Sequence, residues 1–253
     1  MHGKRGRLGL IVPSSNTTNE PEFAAALPAD VSLHTARMRL VDVAADDLSA
    51  MADDTERCAD LLATADVDVV AYGCTTGSLV HGPGYDREIE QRIADRVDVP
   101  AVATAASVKR AFEALGVESV AVTTPYTDDL NDREETFLDD AGYDVVAMTG
   151  LGLDSNVEIG EQFPETAAEA AREADAPAAD AVFISCTNYR TFEAIPELEA
   201  ELDKPVVTSN QATLWDALHR LDGDGRTASG SERDVDEPTR DLGRLFEQPH
   251  PSA

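Results

Sequence analysis

The stretch VDVVAYGCTTGS at Val67–Ser78 decides the fold, because an apolar, β-branched run ends there in a small polar turn. Such a run is typical of a buried parallel strand whose last side chains lie at the carboxyl end of a sheet. Open α/β sheets bind ligands at that edge. The thiol of Cys74 is therefore predicted to lie at a ligand-binding edge.

A second stretch, ADAVFISCTNYR at Ala179–Arg190, repeats this pattern around Cys186. Other pieces also recur: LIVPSSN reappears as AVTTPYT, and VPAVAT reappears as KPVVTS. This internal repeat of a βαβα unit predicts an α/β fold with two similar parallel-sheet lobes related by a pseudo-twofold axis. Such an axis would place Cys74 and Cys186 on opposite sides of one cleft.

The hydrophobic pattern predicts eight strands and the helices between them. The predicted strands are Leu8–Val12, Val31–Met38, Val67–Tyr72, Val99–Thr104, Ser119–Thr123, Asp144–Thr149, Ala181–Ser185 and Pro205–Thr208. The predicted helices are Leu48–Thr64, Arg87–Arg96, Ala106–Leu115, Asn131–Ala141, Pro164–Ala174, Arg190–Leu202 and Gln211–Leu221.

The repeat also predicts how the chain is divided. Residues 1–105 with 209–221 are expected to form the first lobe, and residues 106–208 the second. The last helix, with Trp215 buried, is expected to pack on the first lobe. Residues 222–253 are polar and acidic and are predicted to form a mobile tail, within which a short helix around Thr239–Phe246 could dock.

The composition excludes several classes of partner. Among 253 residues, 49 acidic side chains oppose 20 basic ones, a net charge of -29 that would repel nucleic acid and anionic membranes. A hydrophobic content of 42% argues against disorder. The charge fits the hydrated surface of a halophilic, cytoplasmic protein. The basic N-terminal segment is interpreted as the first strand rather than a signal peptide, and no apolar segment approaches the roughly 20 residues of a membrane span.

The cysteines suggest chemistry rather than a disulfide framework. Three cysteines without a CxxC pair or a His/Cys cluster support neither a disulfide set nor a zinc site. A single buried cysteine usually fills a core, as we expect for Cys58. Two cysteines at equivalent repeat positions favour function instead. The helix starts that follow Cys74 and Cys186 are expected to raise the thiolate fraction of both.

Two facing thiols allow two kinds of reaction. One cysteine could remove a proton from a carbon acid while the other donates one on the opposite face, which is racemisation. Alternatively, one thiolate adds to an activated double bond and the other thiol protonates the neighbouring carbon. Neither reaction needs a metal or an organic cofactor, and the sequence offers no GxGxxG or P-loop motif for one.

The polar turn after the first strand has two interpretations. Ser14, Ser15 and Asn16 lie where the strand ends and a helix begins, so they could cap that helix. Alternatively, their side chains and the free N–H groups of the helix start could bind a carboxylate. His81, alone in a glycine-rich loop, is interpreted as solvated.

Across most of the chain, the sequence resembles the Asp/Glu racemase superfamily, and within it the maleate cis–trans isomerase branch. The similar pieces, from residue 10 to about residue 216, are VPSSNTTNE, GCTTGS, TPYTDDLN, LDSNVEIG, SCTNYR and KPVVTSNQATLW. Arylmalonate decarboxylases of this superfamily keep only the second cysteine, so the presence of Cys74 argues against that branch.

The resemblance implies a homodimer or higher homo-oligomer and a cofactor-independent reaction on a small dicarboxylate. It implies that Cys74 adds to the alkene of maleate, that the adduct rotates, and that elimination releases fumarate, while Cys186 handles the proton on the adjacent carbon. The resemblance also implies which residues hold the substrate carboxylates, with backbone and hydroxyl groups of three threonines helping. These residues are Asn16, Tyr126 and Asn156, and the threonines are Thr75, Thr76 and Thr187.

Other functions stay open on the sequence alone. An amino-acid or hydantoin racemase could use the same two cysteines as acid and base. A related branch connected with ectoine breakdown carries a similar SNQA segment. A small-acid binding protein would bind tightly without turnover, and its binding would not depend on Cys74.

Overall fold

The computed structural model describes residues 3–40, 51, 54–223 and 240–251. In this part of the chain the strands form two four-stranded sheets, and every pairing is parallel. The first sheet has the order β2-β1-β3-β4 and contains β1 (Gly6–Pro13), β2 (Val31–Met38), β3 (Val69–Tyr72) and β4 (Ala101–Ala103). The second has the order β6-β5-β7-β8 and contains β5 (Ser119–Thr124), β6 (Asp144–Gly150), β7 (Ala181–Ile184) and β8 (Val206–Thr208).

The identical strand order in the two sheets confirms the predicted fold class. Each predicted strand is present, with ends that differ by two residues at most. All four residues of β3 and of β7 are buried, since a parallel sheet in an α/β protein is covered on both faces. The apolar runs before the two cysteines were therefore sufficient to predict these strands.

The described helices lie between the strands. They are α1 (Asn19–Ala26), α2 (Thr55–Ala63), α3 (Thr75–Leu79), α4 (Tyr85–Val97), α5 (Thr104–Leu115), α6 (Asp128–Asp140), α7 (Asn156–Gly160), α8 (Pro164–Ala174), α9 (Ile195–Leu202) and α10 (Ser209–Gly223), followed by a 3-10 turn at Arg244–Glu247. Of the helix predicted over Leu48–Thr64, residues 48–50 and 52–53 lie outside the described residues. None of the described helices is both long enough and apolar enough to span a bilayer.

The helix predicted over Arg190–Leu202 begins five residues later, at Ile195, so that part of the prediction was wrong. A proline in the first turn favours a helix start there. The preceding segment is also held elsewhere, because the N–H groups of Thr191 and Phe192 donate to Glu22 Oε1 at 2.7 and 3.0 Å. This turn after Cys186 is thus tied to α1 of the first half instead of winding into a helix.

Helix α10 connects the two halves. Its Leu214, Leu218 and Leu221 pack in an apolar cluster with β1 and β3. Its fully buried Trp215 packs instead in a cluster with residues of β5 and β7. The expectation that this helix packs on the first lobe therefore describes only one of its faces.

The last described segment also packs on the core. Leu242 and Leu245 are buried, and Gln211 Nε2 donates to the carbonyl oxygen of Leu242 at 2.6 Å. The expectation of a mobile tail over residues 222–253 therefore does not describe residues 240–251, because two leucines in that acidic stretch bury their side chains. The short helix that could dock around Thr239–Phe246 is found there as the 3-10 turn Arg244–Glu247. Residues 224–239 lie outside the described residues.

Candidate active site

One small cavity lies where the strands of both sheets end at their carboxyl edges. Its volume is about 10 Å³, close to the space one water molecule needs. It is lined by Pro13 and Leu40 together with all eight residues that the sequence analysis selected: Asn16, Cys74, Thr75, Thr76, Tyr126, Asn156, Cys186 and Thr187. The equivalent strand ends of the repeat thus bring both cysteines to one place.

Cys74 is the N-cap residue of α3. Its Sγ accepts a hydrogen bond from the Gly77 N–H at 3.3 Å and lies 3.9 Å from the Thr76 hydroxyl. A Cβ at position 77 would lie 2.9 Å from the Cys74 sulfur. Glycine is therefore needed in GCTTGS so that the backbone can approach the thiol closely.

Cys186 follows β7 in a strained backbone conformation. Its φ is 103°, in a region that non-glycine residues rarely adopt. The Asn188 N–H donates to its Sγ at 3.3 Å, and the hydroxyl of Tyr126 also hydrogen-bonds to this thiol. Strain of this kind is typical of functional sites, where it aims a side chain that relaxed backbone would not.

Burial controls the acidity of both thiols. The exposed fractions of Cys74 and Cys186 are 4% and 5%. Burial raises the pKa of Cys74 to about 11 and that of Cys186 to about 12, although the N–H donors oppose this rise. The expected increase in thiolate fraction is therefore not found, because desolvation outweighs the hydrogen bonds. In this state both residues are thiols at neutral pH, so each can donate a proton.

Hydrogen bonds fasten the two cysteine turns to each other. The Thr187 hydroxyl donates to the Gly73 carbonyl oxygen at 3.1 Å. Ser209 Oγ accepts from the Thr75 hydroxyl at 2.9 Å and from the Cys186 N–H at 3.0 Å. Ser209 was not among the residues predicted from the sequence. Its only signal was its place in the SNQ segment directly after the last strand.

Asn16 both caps a helix and lines the cavity. Its Oδ1 accepts from the N–H groups of Thr18 and Asn19 at 3.0 and 2.9 Å, and its Nδ2 donates to Thr187 Oγ1 at 3.2 Å. Because Oδ1 is fixed by these two N–H groups, Nδ2 of the same side chain stays at the cavity. The two interpretations of this turn are therefore compatible.

Asn188 connects the second cysteine turn to Asn156 and to the first half. Its Nδ2 donates to Asn156 Oδ1 at 3.2 Å, and its Oδ1 accepts from the Thr17 N–H at 2.8 Å. Asn156 Nδ2 in turn donates to Ser15 Oγ at 2.8 Å. Asn188 was present in the quoted SCTNYR motif, but its role depends on contacts that the motif alone does not reveal.

The cavity offers neutral groups rather than charges. Its lining, as far as the chain is described, contains thiols, hydroxyls and amides but no Lys, Arg, Asp or Glu. Within the described ranges no cluster of His, Cys, Asp and Glu side chains could hold a metal ion. Cys58 lies in the core and His81 contacts the ring of Tyr85, and neither belongs to the cavity lining. The arrangement aims neutral hydrogen-bonding groups and two protonated thiols at one point. Because the cavity has room for about one water molecule, a dicarboxylate could enter only if the site opened.

The duplicated sheet and the two thiols in one cavity define an α/β protein with a pair of cysteines at one site. The sequence profile of the arylmalonate decarboxylase family matches residues 8–233. The chain belongs to that family.

The proteins to which this chain is similar include maleate isomerases. The maleate isomerase of Geobacillus stearothermophilus is 31% identical over 232 residues, which cover 86% of this chain and 92% of the relative. The maleate isomerase of Pseudomonas putida S16 has been solved with maleate as a cysteine-to-alanine variant. Its TM-score is 0.83 at 30% identity, and the match covers 86% of this chain and 92% of that chain. The Nocardia farcinica maleate cis–trans isomerase has been solved as a cysteine-to-serine variant with a covalently bound succinylcysteine intermediate. Its TM-score is 0.82 at 29% identity, and the match covers 86% of this chain and 93% of that chain. These relatives confirm the predicted resemblance and the assignment of the chain as an isomerase.

Proposed function

We propose that this protein converts maleate to fumarate through a covalent cysteine adduct and without a cofactor. The observation that carries the proposal is the convergence of Cys74 and Cys186 on one cavity lined by neutral hydrogen-bonding groups. The relatives solved with maleate and with a succinylcysteine support it.

The first step adds one S–H bond across the alkene. Cys74 Sγ bonds to one alkene carbon, and the electron pair of the double bond takes a proton from Cys186 at the other carbon. Cys186 then receives the proton that leaves Cys74, so atoms and charge balance. The raised pKa of Cys186 keeps it in the thiol form that this step requires.

The second step rotates and reverses the adduct. The former double bond is now single, so the two carboxylates can turn from cis to trans. As the Cys74–carbon bond breaks, Cys186 passes its proton to the departing sulfur of Cys74 and takes up the proton of the neighbouring carbon, which releases fumarate and restores both thiols. Neutral donors from Asn16, Tyr126 and Asn156 would hold the carboxylates without a fixed ion pair, so the adduct can turn. The threonines Thr75, Thr76 and Thr187 would contribute hydroxyl and N–H groups.

The test is proton NMR of maleate with the purified full chain in molar salt. We expect the maleate signal to be replaced by the fumarate signal without any added cofactor. If the folded protein leaves maleate unchanged, the proposal is wrong and racemase and ectoine-related substrates become the next candidates.

An amino-acid racemase is less well supported. Its substrate carries an ammonium group, and a buried charge usually pairs with an opposite charge. No acidic side chain of the described residues lines the cavity. Solvent deuterium entering the α-carbon of L-aspartate or L-glutamate would nevertheless favour that function over maleate isomerisation.

Replacing Asn16 with aspartate should lower kcat/KM for maleate about 100-fold. The new carboxylate keeps the oxygen that accepts from Thr18 and Asn19 but places a negative charge where the dicarboxylate binds, and like charges at contact distance in a partly buried site repel strongly. Steady-state kinetics with maleate measures this loss.

Asn16→Ala is the uncharged comparison. It removes the amide donor without adding a charge, and because it also removes the oxygen that accepts from Thr18 and Asn19 its free energy of unfolding is measured alongside the kinetics. We expect it to lower kcat/KM about tenfold, the usual effect of losing one hydrogen bond. Equal losses for the two variants would show that the side chain at position 16 does not face a substrate carboxylate.

The remaining predictions rest on composition and on the family resemblance. We propose a cytoplasmic, halophilic homodimer or higher homo-oligomer that contacts neither nucleic acid nor membrane. We also propose that the lobes divide at residues 1–105 plus 209–221 and at residues 106–208. The proposal of a halophilic homo-oligomer is tested by measuring activity and oligomeric state across a range of salt concentrations.

A further inference from the structure

The strained backbone of Cys186 needs partners that hold it. Its φ of 103° lies outside the left-handed helical region, whereas the other non-glycine residues of the described chain with positive φ are aspartates at 51–55°, inside that region. Such strain persists only where the surrounding structure over-determines the conformation. The Ser185 N–H continues the pairing of β7 with β5, since it donates to the Thr123 carbonyl oxygen at 2.9 Å. The Cys186 N–H donates instead to a side chain, the hydroxyl oxygen of Ser209, at 3.0 Å.

Ser209 replaces an acceptor that the sheet would otherwise supply. In the pairing of β7 with β8, the Val182 N–H donates to the Pro205 carbonyl oxygen at 3.0 Å. Acceptors in a parallel ladder recur every second residue, so the Cys186 N–H would meet the carbonyl oxygen of residue 209. That residue begins α10, and its carbonyl oxygen accepts from the Thr213 hydroxyl at 2.7 Å. The Ser209 side chain therefore supplies the acceptor in its place.

The internal repeat provides a comparison for this contact. Thr104 and Ser209 each follow a proline by four residues and begin the helix after their strand. The Thr104 hydroxyl donates to the Tyr72 carbonyl oxygen at 2.9 Å, and Cys74 has an extended backbone with φ -152°. The hydroxyl at position 104 is thus turned to a carbonyl, and the hydroxyl at position 209 to the N–H of a cysteine. The strained cysteine belongs to the half in which the hydroxyl meets that N–H.

The same serine oxygen also contacts the first cysteine turn. Ser209 Oγ accepts from the hydroxyl of Thr75, the residue after Cys74, at 2.9 Å. Ser209 is fully buried, and hydrogen bonds in a low-dielectric interior are stronger than the same bonds in water. One oxygen atom therefore fixes the place of the second cysteine turn relative to the first.

We propose that Ser209 is a positioning residue whose hydroxyl oxygen holds the strained backbone of Cys186 and so aims the second thiol at the cavity that Cys74 also lines. Without that oxygen, the turn would relax toward an ordinary conformation and its sulfur would move. The consequence for catalysis rests on the proposed isomerisation, but the effect on the turn does not.

The first test measures how fast N-ethylmaleimide modifies Cys186 in the Cys74→Ser protein. Ser209→Ala removes the oxygen that holds the turn. Thr104→Val removes the buried hydroxyl at the equivalent position of the repeat and is the matched control. Peptide mass spectrometry follows Cys186 and the core thiol Cys58 separately, so Cys58 reports any general loosening of the fold.

We expect Ser209→Ala to speed the modification of Cys186 about tenfold, the usual effect of losing one hydrogen bond, and to leave Cys58 at the parent rate. Thr104→Val should leave both rates unchanged. An unchanged rate at Cys186 would overturn the proposal, because the oxygen would then not hold the turn. An equal rise at Cys58 would also overturn it, because the effect would then belong to the whole fold.

The second test separates kcat from KM with maleate as substrate. Ser209→Ala should lower kcat about tenfold and change KM by less than about threefold, because the proton donor is displaced while the carboxylate-binding groups stay in place. Ser209→Thr, which keeps the oxygen, should recover most of kcat. A raised KM with unchanged kcat would overturn the positioning role. If the unsubstituted protein does not convert maleate, the proposed function fails, whereas the modification rates of Cys186 still test Ser209.

Amide hydrogen exchange of the unsubstituted chain, followed by NMR, provides a further measurement if Ser209→Ala does not fold. The Cys186 N–H should exchange about as slowly as the Ser185 N–H, which is held by the neighbouring strand. Exchange about a hundredfold faster at Cys186 than at Ser185 would overturn the proposal, because Ser209 would then not hold that N–H.

Discussion

Replacing Cys74 with serine should lower the rate of fumarate formation by about 10⁴-fold or more. Serine has almost the same shape, but its hydroxyl is far less acidic than a thiol, so an attacking anion is practically absent at neutral pH. The Gly77 N–H can still hydrogen-bond to the new oxygen, which preserves the local turn. The loss would therefore report nucleophilicity rather than folding, and proton NMR of maleate and fumarate measures it.

Cys186→Ser separates the roles of the two thiols. This variant keeps the nucleophile and loses the proton donor, so turnover should fall strongly while a maleate-derived adduct remains on Cys74. Intact-mass and peptide mass spectrometry should find that adduct in Cys186→Ser and not in Cys74→Ser. Cys58→Ala, which removes a core thiol outside the cavity, should stay within a few-fold of the wild-type rate. Fumarate formation by Cys74→Ser at a comparable rate would contradict the covalent mechanism.

Replacing Glu22 with alanine should lower the free energy of unfolding by about 3 kcal/mol, since three buried donors lose their acceptor and each unpaired group costs about 1 kcal/mol or more. Two of the donors are the backbone N–H groups of Thr191 and Phe192, and the third is the amide of Asn210. Asn210 Nδ2 also donates to the Thr187 carbonyl oxygen, so we expect the second cysteine turn to loosen and the activity to fall as well. Urea unfolding at a fixed salt concentration measures the change.

Glu20→Ala provides the comparison on the same helix. Glu20 forms an exposed ion pair with Arg37 at 2.7 Å, and exposed pairs contribute about 0–1 kcal/mol. The two substitutions remove the same side-chain atoms, so their difference isolates the buried contacts. Similar losses of stability in both variants would mean that Glu22 does not hold the turn after Cys186.

The sequence was most informative where physical rules act locally. Apolar, β-branched runs predicted β3 and β7, and the parallel topology required both runs to end at the same edge of their sheets. The repeat then indicated that Cys74 and Cys186 share a cleft, and both line one cavity. The other six selected residues reach that cavity for the same reason, since each follows the end of a strand. Their individual roles remain predictions.

The features that the sequence did not predict depend on contacts between distant segments. Ser209 receives hydrogen bonds from both cysteine turns, and Glu22 reaches a turn some 170 residues away. The acidity of the thiols could not be predicted either, because a helix start lowers a thiol pKa and burial raises it, and only the structure shows which effect is larger. The sequence indicated only that a short helix around Thr239–Phe246 could dock, and the burial of Leu242 and Leu245 was not predicted because acidic neighbours dominate the composition of their stretch.

The positive φ of Cys186 has a consequence for how this protein can change over time. A glycine at this position would adopt the same backbone without strain, so losing the thiol there would relieve of order 1–3 kcal/mol. With Cys186 as the proposed proton donor, stability and activity therefore favour different residues at this one position. Once the activity is no longer needed, a glycine at position 186 would make the fold more stable at the cost of the chemistry.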